Sequence, residues 1–226
     1  MKLSVIIPAF NEKGTIKQII EKVTRSKLVK QIVIVDDGST DGTTEILKKM
    51  PQGKKHEIIF HARNQGKGAA VKTGLERVTE DYVIIQDADL EYDPADYEHL
   101  TKPILEDKAE VVYGSRFTGE HRNMFFWHML ANKLLTFLTN LLYDTTLSDM
   151  ETCYKLIPTR ILKKINIKSK SFNFEPEVTA KILKQRVRIY EVPISYAGRE
   201  YEEGKKICWH DGISAMFTLL RYRFFN

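Results

Sequence analysis

Apolar residues along the chain cluster into short β-branched runs, LSVIIPAF (3–10), QIVIVDD (31–37), HEIIF (56–60), DYVIIQDAD (81–89) and AEVVYGS (109–115). Runs of this length, rich in Val and Ile and bounded by polar clusters, read as buried strands. The stretches between them, 13–25, 42–50, 67–79 and 94–107, carry helical period. Strict alternation of strand and helix predicts an α/β chain whose mostly parallel sheet is covered by helices on both faces. Open sheets of this kind bind ligands outside the carboxyl ends of their strands, so the residues just after each strand carry the chemical interest.

The pattern changes after Arg122. Residues 123–143 hold one charge, Lys133, in a stretch about long enough to span a bilayer, but its polar residues are spaced against spanning. On a helical wheel Phe126, Trp127, Leu130, Ala131, Leu134, Leu135, Phe137, Leu138, Leu141 and Leu142 share one half, and His128, Asn132, Lys133, Thr136, Thr139 and Asn140 the other. Such a helix either packs its apolar half into the core or lays it in a membrane interface; both readings stand at this point. Beyond it, ETCYKLIP (151–158) and RVRIYEVPISY (186–196) read as strands, with a helix near 175–185 and a last one from about 211. One domain over 1–226 is expected, a first half to 117 and a second from 118.

A chain of 226 residues with 42% hydrophobic content can bury one substantial core, and its 35 Lys and Arg against 30 Asp and Glu suit an anionic ligand or surface. No nucleic acid is expected as a partner. Cys153 and Cys208 have no CxxC or Cys/His spacing, which argues against a zinc site or a disulfide framework and for a reducing, cytosolic setting. The apolar run 3–10 is too short for a secretory signal.

The strand ends carry candidate chemistry. Asp87 and Asp89 follow the run YVII as a DAD motif, two hard oxygen donors placed to approach one Mg2+ or Mn2+ on a diphosphate, or to build an ordinary turn. Asp36 and Asp37 close the second strand in DDGSTDGT, where Ser39, Thr40 or Asp41 can cap the next helix. Pro8, Phe10, Asn11 and Glu12 end the first strand, with Pro8 expected to mark departure from the sheet. RNQGKG (63–68) offers two glycines and basic side chains before a helix, an anion cradle lacking both the P-loop and the dinucleotide signature.

Taken together and in order, VIIPAFNE (5–12), VDDGSTDGT (35–43), RNQGKGAA (63–70), QDADLEYDP (86–94) and YGSRF (113–117) resemble family 2 glycosyltransferases. The resemblance implies a GT-A fold that binds a nucleotide diphosphate sugar, UDP- or GDP-linked. By it, Pro8, Phe10, Glu12 and Asp37, with Asp36 beside it, would hold the nucleoside, and Lys67 would lie near the nucleotide. Asp87 and Asp89 would place Mn2+ or Mg2+, with Glu91 at a position where relatives often carry a metal-site Gln. The second half, GSRF, the amphipathic helix, SDMETCYKL (148–156) and SYAGREYEEGKKI (195–207), is similar to polyprenyl (dolichyl) phosphate mannose and glucose synthases. That similarity implies Arg116 at the acceptor phosphate, Arg199, Lys205 and Lys206 closing over phosphates, and Arg122 and His128 near the lipid phosphate. The implied enzyme is a metal-dependent inverting transferase, peripheral at the cytoplasmic face of a membrane, with Asp89, Arg116 and Arg199 closest to the chemistry. A hydroxyl acceptor would need a base, for which Asp149 and Glu151 are the candidates. A non-catalytic module that only binds nucleotide sugars at a membrane is the alternative of another class.

Overall fold

The computed structural model describes residues 1–53, 55–171, 173–199 and 209–225. Strands β1 (Leu3–Ala9), β2 (Val29–Asp36), β3 (His56–Phe60) and β4 (Tyr82–Ile85) run parallel in the spatial order β3-β2-β1-β4. Helices α1 (Ile16–Arg25), α2 (Thr43–Lys48) and α3 (Lys67–Arg77) make the crossovers. Almost every residue of β1 and β2 is buried, because helices cover the sheet on both faces and leave no side for alternation. On α1, Ile16, Ile19, Ile20 and Val23 form the buried stripe that its period predicts. α3 lies so near β1 that a Cβ at Gly74 would come 2.6 Å from the Ile6 side chain. The chain leaves β1 for β2 on one side, while β4 lies on the other, so a crevice opens at the carboxyl ends between β1 and β4.

Pro8 does not leave the sheet as expected: it pairs in register with Val35. The β4 ladder ends at Ile6, whose carbonyl accepts from Gln86 N at 2.9 Å. Two residues further, Pro8 faces the same side after β4 has turned away, so its missing N–H leaves no partner unserved.

After β4 come a 3-10 turn (Pro94–Asp96), α4 (Tyr97–Leu105), β5 (Val111–Ser115), α5 (Phe126–Tyr143), β6 (Lys155–Pro158), α6 (Thr159–Lys164), α7 (Phe174–Lys184), β7 (Ile189–Pro193) and α8 (Trp209–Phe224). They extend the sheet to β3-β2-β1-β4-β6-β5-β7, with β6 antiparallel to both neighbours and β7 parallel to β5. Only the last four residues of ETCYKLIP are strand. Residues 151–154 remain outside it, where they line or underlie the crevice.

The amphipathic helix α5 is turned inside out. Thr136, Thr139 and Tyr143 are its buried residues, whereas Trp127 is 74% exposed, Phe137 66% and Leu141 71%. The polar half faces inward because it holds the loop before β6. Thr136 Oγ1 accepts from Met150 N at 3.1 Å, and Asn140 both donates to Leu147 O and accepts from Leu147 N, at 2.8 and 2.9 Å. Core packing therefore does not account for the apolar half, although Leu135, Leu138 and Leu142 at its edge pack against a small cluster that includes Leu219 and Tyr222 of α8. α8 adds Ile213, Phe217 and Phe224 to the same kind of exposed apolar surface. No helix among the described residues is long and apolar enough to cross a membrane.

Candidate active site

The loop after β1 is stitched to the loop after β2. Asn11 N donates to Ser39 Oγ at 3.0 Å, Thr40 N to Asn11 Oδ1 at 2.8 Å and Glu12 N to Thr43 Oγ1 at 2.9 Å. Asn11 sits at φ 55°, the left-handed region that Asn tolerates better than most residues. The bend brings Phe10 and Glu12 to the mouth of the crevice, which is a cavity of about 700 Å³. Its walls include Pro8, Phe10, Glu12, Asp37, Lys67, Asp87, Asp89, Glu91, Arg116, His128 and Arg199, so most residues expected at a site meet in one place.

Three expectations fail or fall elsewhere. Asp36 does not reach the cavity: it is buried, accepting from Ser39 N at 3.1 Å and from the Thr44 hydroxyl, and it shapes the turn into α2. Arg122 is exposed outside the cavity, with Nη1 donating to Gly198 O at 3.3 Å. Lys205 and Lys206 lie outside the described residues.

Asp37 lines the cavity, yet both its oxygens serve the neighbouring loop. Oδ1 pairs with His61 Nδ1 at 2.7 Å, and Gln65 N and Gly66 N donate to the carboxylate, the latter at 2.7 Å. Gly66 has φ +97°, and a Cβ there would collide with the Lys170 carbonyl, which explains the glycine in RNQGKG.

The DAD carboxylates are balanced by side-chain cations. Lys67 Nζ lies 2.8 Å from both Asp87 Oδ1 and Glu175 Oε1. Burial opposes the charge of Lys67, but Asp87 and Glu175 help to outweigh it and hold its pKa well above the usual lysine value. Burial also opposes ionisation of Asp87, and Lys67 overrides it, lowering the pKa. Asp89 is different. Burial, then the charges of Asp87 and Glu91, raise it to about 7. Arg199 lies over this group, with Nη2 3.0 Å from Asp89 Oδ2, Nη1 3.3 Å from Glu12 Oε2 and Nε 3.6 Å from Glu91 Oε1. Glu91 also accepts from the Tyr196 hydroxyl at 2.6 Å and from Arg199 N at 2.9 Å.

Asp87, Asp89 and Glu91 do not converge as a ready trio of metal ligands; among the described residues no such group of three is found. Asp87 is paired with Lys67, and Asp89 and Glu91 with Arg199.

Further along the wall, Arg116 is buried in a bidentate pair with Asp149, Nε to Oδ2 at 2.7 Å and Nη2 to Oδ1 at 2.8 Å. Burial would raise the Asp149 pKa, but Arg116 lowers it. With both oxygens on Arg116, Asp149 is not placed as a base. Glu151 lines the cavity and is raised to about 8, first by burial and then by Glu175, so it is mostly protonated at neutral pH. Glu175 and Tyr196 were not singled out from the sequence. The signal for Glu175 was FEPE opening a helix, two carboxylates in a first turn after an apolar residue. The Arg116 guanidinium also lies over the Tyr196 ring, 5.4 Å from its centre, and Tyr92 meets that ring edge to face.

Comparison with known proteins follows the same lines. A family model described as glycosyl transferase family 2 matches residues 4–166, well over half of the chain. A Methanococcus voltae protein named UDP-N-acetylglucosamine–dolichyl-phosphate N-acetylglucosaminyltransferase is 30% identical over 236 residues, 96% of this chain and 94% of that one. A low-salt glycan biosynthesis hexosyltransferase of Haloferax volcanii is 32% identical over 88% of this chain, which spans 49% of that protein. Among solved structures, Mycobacterium tuberculosis glucosyl-3-phosphoglycerate synthase with Mn2+, UDP and its product superposes with a TM-score of 0.77 at 18% identity, over 100% of this chain and 81% of that one. That likeness establishes the GT-A fold. With its strand-end motifs gathered around one cavity on that fold, the chain belongs to glycosyl transferase family 2 and is a glycosyltransferase.

Proposed function

We propose that the protein moves a hexose or N-acetylhexosamine from a UDP- or GDP-linked donor to a polyprenyl phosphate such as dolichyl phosphate, working as a peripheral enzyme at the cytoplasmic face of a membrane. One observation carries the reading. The cavity that holds the DAD carboxylates runs on to Trp127, His128, Ala131 and Leu135 of α5 and Ala215 of α8, so it reaches the exposed apolar surface of those helices. A polar reaction centre continuous with such a surface suits an acceptor with a phosphate head and a lipid tail. Lys133, Arg221 and Arg223 lie on α5 and α8 themselves, and basic residues near an anionic leaflet contribute about 1 kcal/mol each. Tyr222 of α8 is buried and donates to Glu177 at 2.9 Å, leaving Phe224 and Phe225 as the exposed aromatics of the end. The name of the Methanococcus voltae relative favours the same acceptor class and makes UDP-N-acetylglucosamine the first donor to test.

Residues 1–117 form the donor half of one catalytic unit and 118–226 the acceptor half. Asp87, Asp89 and Glu91 fit Mn2+ or Mg2+: they are hard oxygen donors, and the burial and neighbouring carboxylate charges that raise Asp89 to about 7 are what a divalent cation offsets. When bound, the ion neutralises charge on the leaving diphosphate. Pro8, Phe10, Glu12 and Asp37 hold the nucleoside end, and Arg199 exchanges carboxylate for phosphate oxygen as the donor enters. Asp149 fixes the plane of Arg116 at the cavity wall, where its charge and His128 receive the acceptor phosphate. An acceptor oxygen then attacks the anomeric carbon as the bond to the diphosphate breaks, inverting configuration. A phosphate monoester, with a second pKa of about 6, needs no base. That matches a site where Asp149 is engaged by Arg116 and Glu151 is protonated.

The test uses vesicles containing polyprenyl phosphate and anionic lipid with radiolabelled nucleotide sugar. Label is expected to enter the organic phase as an acid-labile phosphodiester, with the protein sedimenting partly with the vesicles and released by salt. Label in a soluble sugar or protein hydroxyl, with no response to vesicles, would overturn the reading.

A further inference from the structure

Within that reading, one cluster in the cavity wall is rich in carboxyl groups: Asp87, Glu151 and Glu175 line it with Lys67 and Cys153. There the charge of Lys67 is already shared between Asp87 and Glu175. Glu151 stands there with Oε1 buried and without a hydrogen-bond partner among the described residues. A polar atom buried in that way is destabilising unless something pairs with it. Its neighbour Lys155 donates instead to the backbone carbonyls of Met150 and Thr152. A second anion beside Glu151 would meet the charge of Glu175, which already acts on it, whereas a neutral polyol would not.

We infer that Glu151 belongs to the subsite for the transferred sugar, where its carboxyl exchanges hydrogen bonds with a ring hydroxyl or acetamido group and so takes part in choosing the sugar. In its neutral form the group offers one O–H donor and an acceptor, the pairing a sugar hydroxyl also offers. The groups that set its charge are Glu175 on α7, Lys155 on β6, and Arg116 and Asp149 around the adjoining loop. Glu151 is thus a positioning residue rather than a base. Sites built to hydrogen-bond a substrate group discriminate strongly against analogues lacking it.

Calorimetry with Mn2+ compares UDP with UDP-N-acetylglucosamine and UDP-glucose, and GDP with GDP-mannose, on the wild type, Glu151→Ala and Glu151→Gln. Glu151→Ala should weaken the preferred nucleotide sugar by about tenfold and leave the bare diphosphate within about twofold. Glu151→Gln, which donates and accepts as the neutral acid does, should recover most of the loss. In the wild type the advantage of sugar nucleotide over bare diphosphate should fall as pH rises through 8, and in Glu151→Gln it should not. Equal weakening of diphosphate and sugar nucleotide in a variant whose melting is unchanged would overturn the assignment, as would no weakening of either. If wild-type protein binds none of these nucleotides, the donor reading itself fails, a result distinct from failure of the subsite.

Discussion

Asp36 and Asp37 end β2 and Asp87 and Asp89 follow β4, so the two pairs occupy equivalent places at the rim of one sheet. Their partners differ in kind. The first pair is satisfied by backbone N–H groups of nearby loops, Ser39 N, Gln65 N and Gly66 N, and by the Thr44 hydroxyl at the start of α2, with His61 added. The second is balanced by Lys67 and Arg199, cations from α3 and from the segment after β7. Exposure follows the same division, the Asp37 side chain at 4% and that of Asp87 at 21%. Fixed backbone donors build a loop and stay with it. A side-chain cation can be exchanged for another cation, so the second pair is the one suited to ligand traffic.

Four measurements test that contrast. Asp89→Ala should lower transfer by at least about 100-fold and abolish the Mn2+ dependence of nucleotide binding, while leaving the unfolding midpoint nearly unchanged. Wild-type turnover would remove Asp89 from the reaction. Asp37→Ala should do the reverse, costing about 2–4 kcal/mol in urea unfolding because two backbone donors and His61 lose their acceptor. Nucleotide binding should weaken with it, with or without metal; a loss seen only with metal would move Asp37 into the second group. Arg199→Ala should reduce transfer about tenfold, more than it reduces donor binding, and should raise Mn2+ affinity in the absence of nucleotide by removing the resident cation. Lower Mn2+ affinity would show that Arg199 supports the carboxylates rather than competing for them. The smallest effect is in pH. Because Asp89 is raised to about 7, its carboxylate is protonated below that value, so nucleotide-free Mn2+ affinity should rise about threefold from pH 6.5 to 7.5 and then level off.

The strand ends were legible because hydrophobic runs locate a strand and a parallel sheet gathers its carboxyl ends. Phe10, Glu12, Asp37, Asp87 and Asp89 reach the cavity for that reason. What was not legible had no periodic signature. Period two is blind to direction, so nothing in ETCYKLIP announced that β6 would run antiparallel between β4 and β5. A helical wheel separates two faces but does not say which looks inward. On α5 the answer lay in Thr136 and Asn140 having Met150 and Leu147 to bind, a tertiary fact. Glu175 escaped notice because it comes from a helix start, away from every strand end. Asp36 was expected at the site because adjacent strand residues point to opposite faces, and sequence alone does not show which of two neighbours turns toward the ligand.

The position of Arg199 has a consequence in time. Its backbone is pinned, Arg199 N to Glu91 Oε1 and Ala197 N to Glu91 O, each at 2.9 Å, so the guanidinium can swing while the chain stays. Until it swings, its charge is committed to Glu12, Asp89 and Glu91, and an arriving lipid phosphate does not find it. Turnover should therefore be ordered, nucleotide sugar first and acceptor second, with the nucleoside diphosphate leaving last. Product inhibition would register this as nucleoside diphosphate competitive against the sugar donor and noncompetitive against the acceptor.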